Sequence, residues 1–153
     1  MTMTSGMRVL PAALSAALLA LVAACTRDGD TRQTVSEMQA EGRFRKMLIL
    51  AEPCYSESIV APLEGIAGVL AMSSAGTHEQ SFADNWSPTL GVWRQDRFTH
   101  NLVSHLTANP ATTYRDLYLY CAQHTLGSHV HIVNSANFGN LYTTGPQEFF
   151  TRQ

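Results

Sequence analysis

The sequence predicts an α/β fold built around a mostly parallel sheet, and three observations carry that expectation. Met47 to Ala51 reads Met-Leu-Ile-Leu-Ala, an unbroken apolar run between charged residues and Pro53, as expected of a strand buried on both faces. Residues 69–75 form a second such run. Between and after the runs lie stretches of helical spacing, and strands alternating with helices argue for layered α/β architecture.

In chain order, residues 1–24 differ in kind from the rest. Arg8 is the only charge, and residues 9–24 are rich in Ala and Leu. A basic start, an apolar middle and small residues at the end describe an export signal, too short for a comfortable membrane span. Leu21-Val22-Ala23-Ala24-Cys25 resembles a bacterial lipobox, which implies cleavage before Cys25, acylation of its thiol and anchoring to a membrane. An ordinary secretory signal cut after Ala24, or an uncleaved anchor, stays open.

Residues 25–34 read as a polar linker and residues 35–153 as one domain. Within it, Val35, Met38 and Phe44 suggest a short helix over 35–46, with Ser36 and Gln39 as a capping box. Residues 76–91 read as a long loop. Trp93, Phe98, Leu102 and Leu106 fall at helical intervals over 92–107, and Tyr114, Leu117, Tyr118 and Cys121 over 113–125. Residues 129–134 alternate as a short strand, and the segment from Phe138 on has no clear period.

Composition narrows function. The formal net charge is −2 and no Lys/Arg cluster occurs, so the electrostatic footprint of a nucleic-acid binder is missing. No interval of His and Cys suits a metal, and no cofactor motif is present. Of the three cysteines, Cys54 and Cys121 remain if Cys25 is lipidated. Counting alone then allows a disulfide between them.

Cys54 follows the first buried strand, at the carboxyl end where open α/β sheets place their ligands. Its surroundings are Leu50-Ala51-Glu52-Pro53-Cys54-Tyr55-Ser56-Glu57-Ser58. This segment resembles the nucleophile segment of the legumain (asparaginyl endopeptidase) family, usually Glu-Ala-Cys followed by Ser-Gly-Ser. Further stretches resemble that family in the same order: Gly42 to Met47, Ala71 to Ala75, Glu79-Gln80-Ser81-Phe82-Ala83, Leu90-Gly91-Val92-Trp93 and Ser128-His129-Val130. The resemblance implies a caspase-like fold and proteolysis of peptide or protein substrates. Cys54 would be the nucleophile and its own N–H an oxyanion donor. Glu52 would line the primary specificity pocket, with Gln80 and Ser81 as its far wall.

The departures are equally concrete. Members carry the catalytic His in a His-Gly pair upstream of the nucleophile strand, whereas no His here precedes His78. Val92 stands where a pocket Asp is expected, and Pro53 and Glu57 replace small neighbours of the thiol. Glu57 is expected to disfavour the thiolate. Of the six histidines, His78 is the best placed to substitute; His129 and His131 share a strand face but make no metal site without a third ligand. Three readings follow. The first is a cysteine peptidase domain incomplete at its N-terminal side and inactive alone. The second is a non-catalytic exported scaffold anchored by Cys25. The third is a fragment that does not fold alone, with a bare edge beside Met47–Ala51 open to strand pairing or self-association.

Overall fold

The computed structural model describes residues 17–20, 28–134 and 138–150. Two runs of consecutive apolar residues cannot be buried unless both faces of the sheet they form are covered, and the chain is arranged to cover both. Strand β2 (Met47–Ala51) pairs in parallel with β3 (Val69–Ser73), and β3 pairs antiparallel with β6 (His131–Asn134). On the other side of β2 lies β1 (Ala17–Ala20), parallel, with Ala17 opposite Met47. The sheet order is therefore β1-β2-β3-β6.

Alternate residues of the two central strands feed two cores. Met47, Ile49, Ala51, Val69 and Ala71 pack with Val35, Phe44, Val60, Leu63 and Ile66. These come from helix α1 (Asp28–Ala40), the single turn α2 (Glu57–Val60) and the 3-10 turn Ala61–Leu63 that follows it, with Phe44 and Ile66 from adjoining loops. Leu48, Leu70 and Met72 point the other way, onto Phe98, Leu102, Tyr114, Leu117, Cys121, Val130 and Phe138. That second layer is made by α3 (Arg97–Ala108) and α4 (Tyr114–His124). All five side chains of β3 are buried, so β3 is the axis of the molecule.

Local chemistry sets the element ends. The Asp96 side chain accepts from Thr99 N at 3.0 Å and starts α3; Thr113 accepts from Asp116 N at 3.1 Å and starts α4, both standard N-cap roles. His105 and His124 lie in the last turns of these helices, where a cation suits the dipole. Gly68 precedes β3 at φ +80°, and a Cβ there would lie 2.5 Å from the Arg45 carbonyl oxygen. The tight approach lets Met47 N donate to Gly68 O at 2.9 Å and begin the ladder. Near the chain's end, the one-turn helix α5 (Gln147–Phe150) is tied inward. Glu148 accepts from Lys46 Nζ and from Tyr114 OH, each at 2.8 Å.

Several expectations change. The segment read as a linker and late helix is one helix from Asp28, so Ser36 and Gln39 lie inside it and do not cap it. The loop over 76–91 contains a β-hairpin, β4 (Ala83–Ser87) with β5 (Val92–Asp96), and the helix after it starts five residues later than its spacing suggests. Trp93 is consequently on a strand and 56% exposed, not in the core. His129 precedes β6, which begins at His131. The edge beside β2 is not bare: Ala17–Ala20, from the stretch read as an export signal, pairs with it. Cys25 lies outside the described residues.

The central position of β3 makes a checkable claim. Leu70→Ala leaves a void between the sheet and α3/α4 and is expected to cost about 3 kcal/mol. Urea melts would show a lower midpoint at unchanged slope.

Candidate active site

A parallel pair delivers both chains to the same edge, so the residues after β2 and those after β3 meet beyond the carboxyl ends of the strands. Glu52, Pro53 and Cys54 leave β2 there; Ser74 to Ser81 leave β3 beside them. The two exits are sewn together. Ser74 N donates to Ala51 O at 2.9 Å, and Ser74 Oγ donates to Glu52 O at 2.6 Å. Buried Ser56 accepts from Ala75 N at 3.1 Å through its hydroxyl, while Glu57 N donates to Ala75 O at 3.0 Å.

Cys54 is exposed and carries a free thiol. Its sulfur lies 3.8 Å from Ser81 Oγ and 4.0 Å from Ser81 O. These are the hydrogen-bond contacts of Sγ among the described residues, and no histidine is among them. His78 is exposed in the loop after β3. Tyr55, next in the chain, holds φ at +62°, a left-handed conformation that costs an aromatic residue energy and needs outside support.

Glu52, two residues before Cys54, is partly buried. Thr99 Oγ1 donates to its carboxylate, and burial, then the nearby charge of Asp96, push its pKa up. The pKa of Asp96 is also raised by burial, against opposing hydrogen bonds from Thr99, Phe98 and Ser81. The expected site residues Cys54 and Ser81 are thus in contact. Glu52 joins Asp96 and Thr99 at the start of α3, and Gln80 is exposed in the connecting loop. Asp96 and Thr99 were legible only as an N-cap pair, a signal hidden once 92–107 is read as continuous helix.

Glu57 does not stand free beside the thiol. Its carboxylate accepts from Thr77 N at 2.8 Å and Thr77 Oγ1 at 2.7 Å and lies 3.3 Å from His131 Nδ1. The Thr77 hydrogen bonds hold its pKa down. Cys121 is free and buried on α4. The disulfide allowed by counting is absent, and burial pushes the Cys121 thiol up to about 12. Among the described residues no group of His, Cys, Asp and Glu is arranged to hold a metal ion.

The fold thus places an exposed thiol at the carboxyl end of a central parallel strand, beside a serine of the loop that follows the next strand. The chain belongs to the Peptidase C13 family, whose model matches residues 23–144. It is also similar to a putative GPI-anchor transamidase of Caenorhabditis elegans, 33% identical over 78 residues. Those residues are 51% of this chain and 24% of the relative, so the chain spans about a quarter of that protein's length.

Two outcomes follow from this geometry. Iodoacetamide at pH 8 is expected to alkylate Cys54 in the native protein and to reach Cys121 only after denaturation, as peptide mapping would show. Because the folded pKa of Glu52 is raised, its ionised form is held at a cost above that pKa. Glu52→Gln should raise Tm by about 2 °C at pH 7, and the gain should vanish as pH falls below about 4.5, where the acid is protonated in both states.

Proposed function

We propose that this chain is a cysteine-type acyl-transfer protein acting on peptide or protein substrates through Cys54. The observation that carries the reading is the exposed Cys54 thiol at the end of β2, 3.8 Å from Ser81 Oγ, in a chain of the Peptidase C13 family. Helices on both faces of the sheet support describing the arrangement as caspase-like.

In the proposed reaction the Cys54 thiolate attacks a peptide carbonyl. The C–N bond breaks, a thioester forms, and the amine leaves with a proton. Water then attacks the thioester to give a carboxylic acid, which makes the protein a legumain-like endopeptidase. If an amine attacks instead, a new amide forms. The similarity to a putative GPI-anchor transamidase favours keeping this second outcome beside hydrolysis. Glu52 borders the primary pocket and the Ser81 loop faces it. Val92 in place of a pocket Asp argues against strict asparagine selection.

The proton acceptor is the incomplete part. All six histidines of the sequence lie among the described residues and none contacts Sγ, so the proposed reaction takes its base from a second chain. Export and membrane attachment through Cys25 belong to the same proposal: cleavage before Cys25 would remove Ala17–Ala20 and bare the edge of β2, and the mature protein would work at a membrane outside the cytoplasm. Loss of membrane fractionation and of fatty-acid labelling in Cys25→Ala would support the anchor; unchanged membrane fractionation would refute it.

For the active site, a peptidyl acyloxymethyl ketone should label Cys54 in the wild-type chain and not in Cys54→Ser. Without the base, labelling should be slower than in a complete peptidase by at least about 100-fold. No labelling at all, by mass spectrometry after prolonged incubation, would favour a non-catalytic scaffold.

A further inference from the structure

We propose that Glu79 is the positioning residue of the nucleophile turn, holding Cys54 and the strained Tyr55 peptide in the conformation that attack requires. This deepens the reading of Cys54 as nucleophile and rests on it.

Glu79 acts through both its side chain and its main chain. One carboxylate oxygen, Oε2, accepts from Gly76 N at 3.0 Å and from His129 N at 2.7 Å. The other, Oε1, pairs with His129 Nδ1. These three contacts fix the loop after β3 against the segment that enters β6. The loop so fixed presents the Glu79 carbonyl oxygen, which accepts from Tyr55 N at 2.8 Å. Tyr55 N is the amide immediately after Cys54, so its direction and that of the Cys54 peptide are linked. The side chain anchors the loop, and the backbone of the same residue delivers the restraint.

Two details fit a restraint rather than an incidental contact. Tyr55 keeps φ at +62°, and such strain persists only where its surroundings over-determine it. Its carbonyl is held as well, accepting from Ser58 N at 3.0 Å and Ser58 Oγ at 2.7 Å. Gly76 is the close-approach residue of the clamp: a Cβ there would meet Glu79 Oε2 at 3.0 Å and His131 Nε2 at 3.3 Å. The loop therefore closes tightly over the carboxylate, and a side chain at Gly76 would have to displace Glu79 or His131. The same hydrogen bonds, from the His129 and Gly76 backbones first, lower the carboxyl to about 2. The anchor therefore remains an acceptor across the working pH range.

The restraint bears on acylation more than on thiol reactivity. Attack on a carbonyl needs the sulfur and the backbone donors aligned together, and a displacement of about 1 Å can cost about 100-fold. Alkylation by iodoacetamide needs no such alignment. In the full chain, Glu79→Ala is expected to lower the rate of Cys54 labelling by the acyloxymethyl ketone about 100-fold, while the iodoacetamide rate changes less than about 3-fold. Exchange of the Tyr55 amide, followed by NMR, should quicken in the same variant. Glu79→Gln keeps an oxygen acceptor and should restore most of both. Unchanged Tyr55 exchange in Glu79→Ala, or equal loss in both labelling rates, would overturn the proposal. If Glu79→Ala does not fold, His129→Ala, which removes the ring contact alone, is measured instead. It should quicken Tyr55 exchange by a smaller factor, and wild-type exchange would overturn the clamp. Should the wild type itself resist the ketone, the nucleophile reading fails, and Tyr55 exchange still decides the clamp.

Discussion

The structure depends on the parallel pairing of β2 with β3 between two helical layers. Parallel strands need a crossover and cover on both faces, and the chain meets both demands within residues 28–124. The crossover from β2 to β3 runs through α2 and the 3-10 turn on one face; α3 and α4 close the other. Once this pairing forms, its two carboxyl ends must open on one side. The Cys54 turn and the Ser81 loop are then neighbours without any further device. Burial of apolar side chains is the driving force, and the position of the thiol is its geometric result.

The site itself is polar and held by many small contacts. Ser56, Ser73 and Ser74 are buried at the exit of the sheet and satisfied by one another and by nearby backbone. A buried hydroxyl without a partner would be costly, so the serines make the two exits interdependent. On the far side, the paired carboxyls of Glu52 and Asp96 meet at the start of α3, where the Thr99 hydroxyl and backbone amide satisfy one each. The second core thus reaches these carboxyls through the first turn of α3.

Much of this could be read from residues. Continuous apolar runs have one common explanation in an α/β chain, so β2 and β3 and the exposed end after Ala51 were legible. Cys54, Glu52 and Ser81 came from ordered likeness to a peptidase family, and the fold brings Cys54 and Ser81 together. The hairpin was not legible because no residue of Ala83–Ser87 or Val92–Asp96 is buried. Without burial there is no alternation to detect. Trp93 then fell by chance at helical spacing with Phe98. Asp28 to Thr34 is helical despite its polarity because Val35 and Met38 further along dock on the core, a tertiary effect that composition alone does not show. Glu79 was visible as part of a motif, but its contacts with His129, fifty residues away, exist only in the folded chain.

The hairpin has a consequence of a spectroscopic kind. Both tryptophans of the chain are on it, Trp86 and Trp93 directly opposite each other and edge to face at 5.3 Å. Neither belongs to the two cores, and each is about half exposed. Intrinsic tryptophan emission of this protein is therefore a report from the exposed hairpin, and the packed interior is silent in it.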